Sequence, residues 1–384
     1  MTDLVAAATA LIPELRGRAA MAEQLRRVPP ENVAALKRAG SYKVLQPKSV
    51  GGFEDSLHTH IDVIAALSRG CTSTAWCAGV VHAHSWLMGL FPGKALQDAY
   101  GTDPDTLIAA VIGPRGTATP VEGGYRLDGF WPFCSGSEHA QFLLLGGGIA
   151  DGKGGVSDDG DFLIPVGDIT IKDDWNVVGL RGTGSCSVVA KNVFVPAHRY
   201  LSLRAAVAGQ AKAQPGWLYR AAAVPVLAMA LVPAALGAAE AALEEFAKRL
   251  PGREVAYTER EKQIDKPITH IQVADAATRI QTARTMLHHC ADMIEAPAKA
   301  GKEMPFKERA QVRMDCAFAA RLCLEGVETL MLASGGSGIG ETTPVQRAWR
   351  DIHAINMHGL LNVETNAEMY GRVVLNLPPN TPLI

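Results

Sequence analysis

The sequence predicts an α+β protein whose helical first third, β-rich middle and helical final half follow one another along the chain. Three observations predict this class. Apolar residues recur at helical spacing up to about residue 112, at period two from about 113 to 205, and at helical spacing again from about 206. Turn residues cluster in the middle stretch and thin out on either side. The last 179 residues are rich in alanine and leucine, in runs too long for strands. The domains read as 1–112, 113–205 and 206–384.

In the first segment, VPPENVAALKRAG has a Pro-Pro start, an acidic first turn and a glycine stop, which is the punctuation of one helix. SLHTHIDVIAALSRGCTSTAWCAGVVHAHSWLMGLF supplies two more. In the middle, EGGYRLDGFWPFCSG, AQFLLLGGGIA, DFLIPVGDITIKDDWNVVG and SCSVVAKNVFVPAHR alternate or run apolar between turns, as strands do. Four long helices follow: LYRAAAVPVLAMALVPAALGAAEAALEEFAKRL, DKPITHIQVADAATRIQTARTMLHHCADMIEAPAKA, KERAQVRMDCAFAARLCLEGVETLMLASG and the stretch around RDIHAINMHGLLN. Helices with apolar stripes joined by short turns pack as an antiparallel bundle. AAAVPVLAMALVPAALGAAEAAL is apolar on more than one face, which predicts burial against other subunits and a homotetramer.

Composition closes off several functions. A formal net charge of −2 with no basic run excludes an electrostatic footprint for nucleic acid. Seven scattered cysteines, none in a CxxC pair, indicate neither a disulfide framework nor a zinc site, and no histidine cluster has metal-ligand spacing. The expected location is therefore the cytoplasm. No stretch is read as long enough to span a membrane, and no membrane partner is expected.

Three motifs carry chemistry. GFWPFCSGSEHAQ ends an aromatic strand in Cys-Ser-Gly-Ser, where Gly136 lets backbone and the Ser135 hydroxyl approach a flat ligand. DDWNVVGLRGTGSCSVVAKNVFVP holds a Gly-rich loop able to cradle phosphate or a ring, yet it matches neither GxGxxG before a helix nor a Walker loop. In RDIHAINMHGLLN, Asp351 and His358 fall within about 20° of each other on a helix face. On residue types alone, each has a plainer reading: a turn, a loop and a capped helix end. His82 and His84 in GVVHAHSW read equally as core positions.

Taken in order, these pieces resemble the acyl-CoA dehydrogenase superfamily over nearly the whole chain. GSYKVLQPKSVGGFED is similar to its early Pro and Gly-Gly segment, and GFWPFCSGSEHA to its flavin-contacting strand. GLRGTGSCSVVAKNVFVP is the most specific match. DKPITHIQVADAATRIQTAR is similar to the bundle helix whose glutamine, Gln272 here, follows a Lys-Pro, and ASGGSGIGETTPVQRAWRD to the Gly-rich turn before an Arg-Asp. The resemblance implies a flavoprotein with an N-terminal helical domain, a middle β-barrel or sandwich domain and a C-terminal four-helix bundle, usually tetrameric.

Two departures select a branch. Where many dehydrogenases of the superfamily carry a Glu-Gly-Thr base after the Arg-Asp, this chain reads Met357-His358-Gly359-Leu360, without a carboxylate. The FAD-binding Arg-x-x-Phe-Gly segment is replaced by EREKQIDKP. The chain resembles instead the two-component (group D) flavin-dependent monooxygenases of this fold, as their oxygenase component. That resemblance places Ser135 at the flavin N5 edge, His358 beside a flavin C4a-hydroperoxide, and His84, with His82 as the alternative, facing a phenolic substrate. Trp131, Phe133, Ser135, Gly136, Arg181, Thr183 and Ser185 are the implied cofactor-binding residues, and Asp351 an orienter of His358.

The residue types suit that chemistry: a neutral imidazole protects a peroxide from elimination, and a second one accepts the substrate proton. The implied reaction hydroxylates a small aromatic, phenol or indole, with O2 and diffusible reduced FMN or FAD. No pyridine-nucleotide fingerprint is present, so the reduced flavin is expected from a separate NAD(P)H:flavin reductase. The alternatives from the same residues are an acyl-CoA dehydrogenase-like FAD enzyme with a displaced base, and a non-catalytic bundle protein.

Overall fold

The structure, a computed structural model, describes residues 3–211 and 214–384. Six helices open the chain: α1 (Leu4–Ala10), α2 (Ile12–Leu25), α3 (Pro30–Arg38), α4 (Leu57–Gly70), α5 (Thr72–Met88) and α6 (Gly93–Tyr100). Their ends follow local chemistry. Asp3 caps α1 through the amide of Ala6, and Ser56 caps α4 through that of Thr59. Pro13, in the first turn of α2, cannot donate the bond that would continue α1. All 17 residues of α5 are buried, so this helix, which carries Trp76, His82 and His84, lies at the centre of the molecule.

Seven strands follow: β1 (Ile108–Val121), β2 (Gly124–Cys134), β3 (Phe142–Ala150), β4 (Val156–Pro165), β5 (Thr170–Ile171), β6 (Cys186–Pro196) and β7 (Tyr200–Ser202). They form one mixed sheet in the order β5-β6-β2-β1-β3-β4-β7, antiparallel except for the β1–β3 pair. β4 and β6 stand four places apart in that order yet approach each other, so the sheet folds over a core of its own. Leu127, Trp131, Leu143, Phe162 and Val188 fill that core, and Phe162 packs edge-on against Tyr125 of β2 at 5.4 Å. The first strand begins at Ile108, ahead of the expected boundary at 113, because LIAAVI is an unbroken apolar run, buried or half-buried throughout, and shows no alternation.

The C-terminal part comprises α7 (Leu203–Val207), α8 (Ala223–Met229), α9 (Pro233–Arg249), α10 (Pro267–Lys299), α11 (Phe306–Ala333), α12 (Pro344–Asn356) and α13 (Val363–Val374). Pro233 splits the first expected bundle helix into α8 and α9. Two sequence expectations change here. The run Ala223–Gly252 is apolar and long enough to cross a membrane, contrary to the reading that no stretch is, and 83% of its most apolar window is buried inside the chain. Its all-round apolar character is therefore that of a core segment packed on α4, α5, α11 and α12, and it supplies no argument for subunit contacts.

Candidate active site

The Gly-rich loop that precedes β6 is clamped between the first and last parts of the chain. Leu180 takes a left-handed conformation (φ 51°), and its amide donates to Asp351 Oδ1 of α12 at 2.6 Å. Gly179 must be glycine, since a β-carbon there would sit 2.2 Å from the Arg350 carbonyl oxygen. From the other side, Arg181 Nε donates to the Glu23 carbonyl of α2 at 3.1 Å. The Glu23 carboxylate in turn binds Arg347 and Arg350, at 2.8 and 2.7 Å. Asp351 is thus a clamp on the loop and makes no hydrogen bond to His358, which corrects its expected role as orienter. Burial, without a full counter-charge, pushes its carboxyl up to about 7.

The clamp brings three hydroxyls together at the end of β2. Ser135 Oγ lies 2.7 Å from Ser185 Oγ, which lies 2.6 Å from Thr183 Oγ1. Trp76 Nε1, from α5, donates to Ser135 Oγ at 3.1 Å. The indole also meets the His358 ring edge-on at 5.7 Å. Ser135 is half-buried two residues from Phe133, which is 66% exposed in a left-handed conformation (φ 68°) that a phenylalanine adopts only under constraint. The Trp175 ring stands edge-on to Phe133 at 6.0 Å, and exposed Val178 and Met357 lie on the same loop and beyond α12. Aromatic side chains, a half-buried hydroxyl and a neutral imidazole fit the isoalloxazine of a flavin.

The other expected cofactor residues sort differently. Trp131 is wholly buried in the sheet core, with Nε1 donating to the Gly146 carbonyl at 2.7 Å, so its side chain is out of a ligand's reach. Gly136, at φ 70°, spends its amide on the Thr183 carbonyl at 3.0 Å. Thr183 and Ser185 are buried behind Ser135, and Arg181 turns toward α2.

The two histidines of GVVHAHSW point opposite ways, as residues two apart on a helix must. His82 donates to the Ser41 carbonyl and faces buried His60, Nδ1 to Nδ1, at 2.8 Å, inside the N-terminal helices. His84 turns to the sheet, and its Nδ1 donates to the Ile108 carbonyl at 2.8 Å. That bond fixes the proton on Nδ1 and leaves Nε2 as a bare lone pair. His358 has the reverse arrangement: Leu360 N–H donates to its Nδ1 at 3.3 Å, so the ring proton sits on Nε2. His358 keeps some accessible surface, but protein surrounds the ring closely, and burial pushes both imidazoles down to about 4. Ala83, Leu227 and Ala230, with Ile112 and Leu360, form an apolar cluster beside the two histidines. Among the described residues no group of three or more ligands can hold a metal ion.

Trp76 is a polar site residue that sequence reasoning missed, as it missed the apolar Ile112, Leu227 and Leu360. Nothing in STAWCAG distinguishes it from the core tryptophan Trp86, which also lies on α5.

Residues 229–363 match the family described as acyl-CoA dehydrogenase, C-terminal domain. Over all of this chain and 98% of the relative, the sequence is 36% identical to the flavin-dependent monooxygenase oxygenase subunit HsaA of Mycobacterium tuberculosis. It is 32% identical to the FADH2-dependent resorcinol hydroxylase oxygenase component of a Rhizobium species, over 95% of this chain and 92% of that protein. The crystal structure of the 3-HSA hydroxylase from Rhodococcus sp. RHA1 superposes with a TM-score of 0.94 at 32% identity, covering 100% of this chain and 99% of that one. With identity sustained from end to end on a common fold, the chain belongs to the oxygenase subunits of the flavin-dependent monooxygenases, a branch built on the acyl-CoA dehydrogenase fold.

Proposed function

We infer that the protein is the oxygenase component of a two-component monooxygenase that hydroxylates a small aromatic ring bearing an OH or NH group. The observation that carries this reading is the pair of neutral imidazoles of opposite hydrogen-bonding sense, His84 as acceptor and His358 as donor, beside one apolar cluster. Reduced FMN or FAD, when bound, supplies two electrons to O2, so that one oxygen atom enters the ring and the other leaves as water. Phe133 and Ser135 would hold the flavin ring, near the Trp76–His358 pair.

The protein's own groups then divide the work. His84 Nε2 accepts the hydrogen of the substrate OH or NH, which orients the ring and pushes electron density toward the carbon being attacked. His358 Nε2–H donates toward the oxygen being transferred and, being uncharged, gives it no proton to leave with. Ala83, Ile112, Leu227 and Leu360 exclude water around both. A separate NAD(P)H:flavin reductase supplies the reduced flavin by diffusion, and the enzyme works in the cytoplasm as a homotetramer.

The test is a single-turnover mix of reduced flavin, oxygen and a panel of phenols and indoles, read by product analysis and released hydrogen peroxide. Wild-type protein converts a matching substrate to its hydroxylated product. His358→Ala binds substrate as wild type does but diverts most reduced flavin to hydrogen peroxide, and His84→Ala slows ring hydroxylation by about 10²-fold. Wild-type product yield in both variants would overturn the assignment.

A further inference from the structure

The N-terminal end of α8 opens on a cavity of about 110 Å³, where α7, the start of α8 and the turn from α10 to α11 meet. Arg220, Lys302, Glu303 and Arg309 supply its charges. Arg309, with a side chain 13% exposed, donates through Nε to the Met304 carbonyl at 2.9 Å and through Nη2 to Glu303 Oε1 at 2.5 Å. Arg220 donates through Nε to the Ala298 carbonyl at 3.1 Å and through Nη1 to that of Pro215 at 3.3 Å. Glu303 is thus matched by Arg309, while Arg220 and Lys302 have no carboxylate partner among the described residues and leave the cavity positive. A gap joins it to the two histidines. Ala221 and Ala222, which line the cavity, lead into α8, and Leu227 of that helix belongs to the apolar cluster beside His84 and His358. On the face of α8 between them, Ala223, Val224 and Leu227 keep 3%, 4% and 8% of their surface, whereas Val226, Ala228 and Met229 on the opposite face keep none. Beside the rings themselves no charged side chain stands: burial alone pushes the imidazoles down, opposed at His84 only by its bond to the Ile108 carbonyl.

We propose that this cavity is a second substrate subsite, and that the substrate is a phenol or indole whose ring carries an apolar chain ending in a carboxylate. The proposal rests on the reading that the ring is hydroxylated between His84 and His358. The chain then follows Ala223, Val224 and Leu227, and the carboxylate meets Arg220 Nη2 and the Lys302 ammonium, which bond to no described residue. Along α8 the step from Ala222 to Leu227 is about 7.5 Å at 1.5 Å per residue, so the chain must be several bonds long. An acid fixed directly beside the ring would instead be buried among apolar side chains without a counter-charge, a cost that the distant cations do not relieve.

Three phenols decide it: a para-hydroxyphenyl hexanoate, its methyl ester, and para-hydroxyphenylacetate, in which the acid stays beside the ring. With reduced flavin and oxygen supplied, wild type takes the hexanoate with kcat/KM on the order of tenfold above the ester and above the acetate. Arg220→Gln brings the hexanoate down to the level of the ester, chiefly through KM, whereas Arg220→Lys keeps the charge and most of the preference. A merely structural role for Arg220 would lower acid and ester alike. Lys302→Glu, on the exposed turn between α10 and α11, reads the same charge should Arg220→Gln fail to fold, and also removes the preference. A hexanoate no better than its ester in wild type, or a preference that survives both Arg220→Gln and Lys302→Glu, overturns the proposal. So does hydroxylation of small phenols but not of the hexanoate, and each of these results leaves the hydroxylase reading standing. Wild-type protein that hydroxylates none of the three, and no other phenol or indole, overturns that reading itself.

Discussion

His84 and His358 are chemically the same side chain, and their backbone neighbours make them opposites. The Ile108 carbonyl fixes a proton on Nδ1 of the first, and the Leu360 amide removes one from Nδ1 of the second. Burial pushes both imidazoles down to about 4, so both are neutral across the working range. The linkage sign follows: a histidine whose folded value lies below its usual 6.5 costs no stability above 6.5. It costs progressively more as the pH falls from 6.5 toward 4, where the unfolded chain binds the extra proton. Product formed per reduced flavin is therefore expected to stay flat between about pH 8 and 6. A halving centred near the ordinary histidine value would show that one ring titrates as an exposed group and so lacks the enclosure described. At this scale, motif order singled out Ser135, His84 and His358, which lie against Trp76, against the Ile108 carbonyl and beside the Trp76 ring. The tautomers were not legible in the sequence, because they depend on carbonyl and amide groups that any residue supplies. Trp131 was misread because a tryptophan in a strand points to either face according to a register that the aromatic cluster FWPF leaves open.

At the scale of elements, the contact that organises the site is α12 against the Gly-rich loop. GLRGTGS looks from its glycines like a ligand cradle, and most of its groups are spent internally, on Glu23, Asp351 and the neighbouring hydroxyls. Helix and strand order was legible because it rests on periodicity. The early start of β1 and the break between α8 and α9 were not, since a doubly buried strand lacks alternation and a proline can open a helix as well as end one. Asp351 makes the clamp testable. Its carboxyl is 2% exposed and raised to about 7, so the folded state holds its proton longer than the unfolded one. Stability from this group is therefore present at low pH and lost as the pH rises from about 4 to about 7. Asp351→Asn keeps an oxygen for the Leu180 amide and cannot ionise. Its melting temperature relative to wild type should climb between pH 5 and pH 8 by the equivalent of roughly 2–3 kcal/mol, on top of a constant, pH-independent offset from the amide hydrogens it must bury. A difference independent of pH would mean that the carboxylate is solvated and that α12 holds the loop by other contacts.

Over the whole molecule, the buried apolar run that first suggested oligomerisation lies inside one chain, and the argument for subunit contact passes to a different surface. At one end of the bundle, where α10 begins and α11 finishes, Ile268, Ile271, Leu332 and Ile339 are 58%, 64%, 72% and 72% exposed. Gln263 Nε2 donates to the Ala333 carbonyl at 2.8 Å, which ties these two helix ends into one face. Large aliphatic side chains grouped on one surface cost free energy in water unless another surface covers them, at about 25 cal/mol per Å² of apolar area. An isologous contact of this face with its own copy is the simplest cover, and a second such contact elsewhere would close a tetramer. Ile271→Asp with Leu332→Glu places like charges at the middle of the face, where burial would strand them. Light scattering of wild-type protein at micromolar concentration should report four chains, and the double variant a smaller assembly that melts at a lower, concentration-dependent temperature. A wild-type monomer, or a double variant with unchanged mass, would show that this face stays open to solvent or that other surfaces hold the assembly.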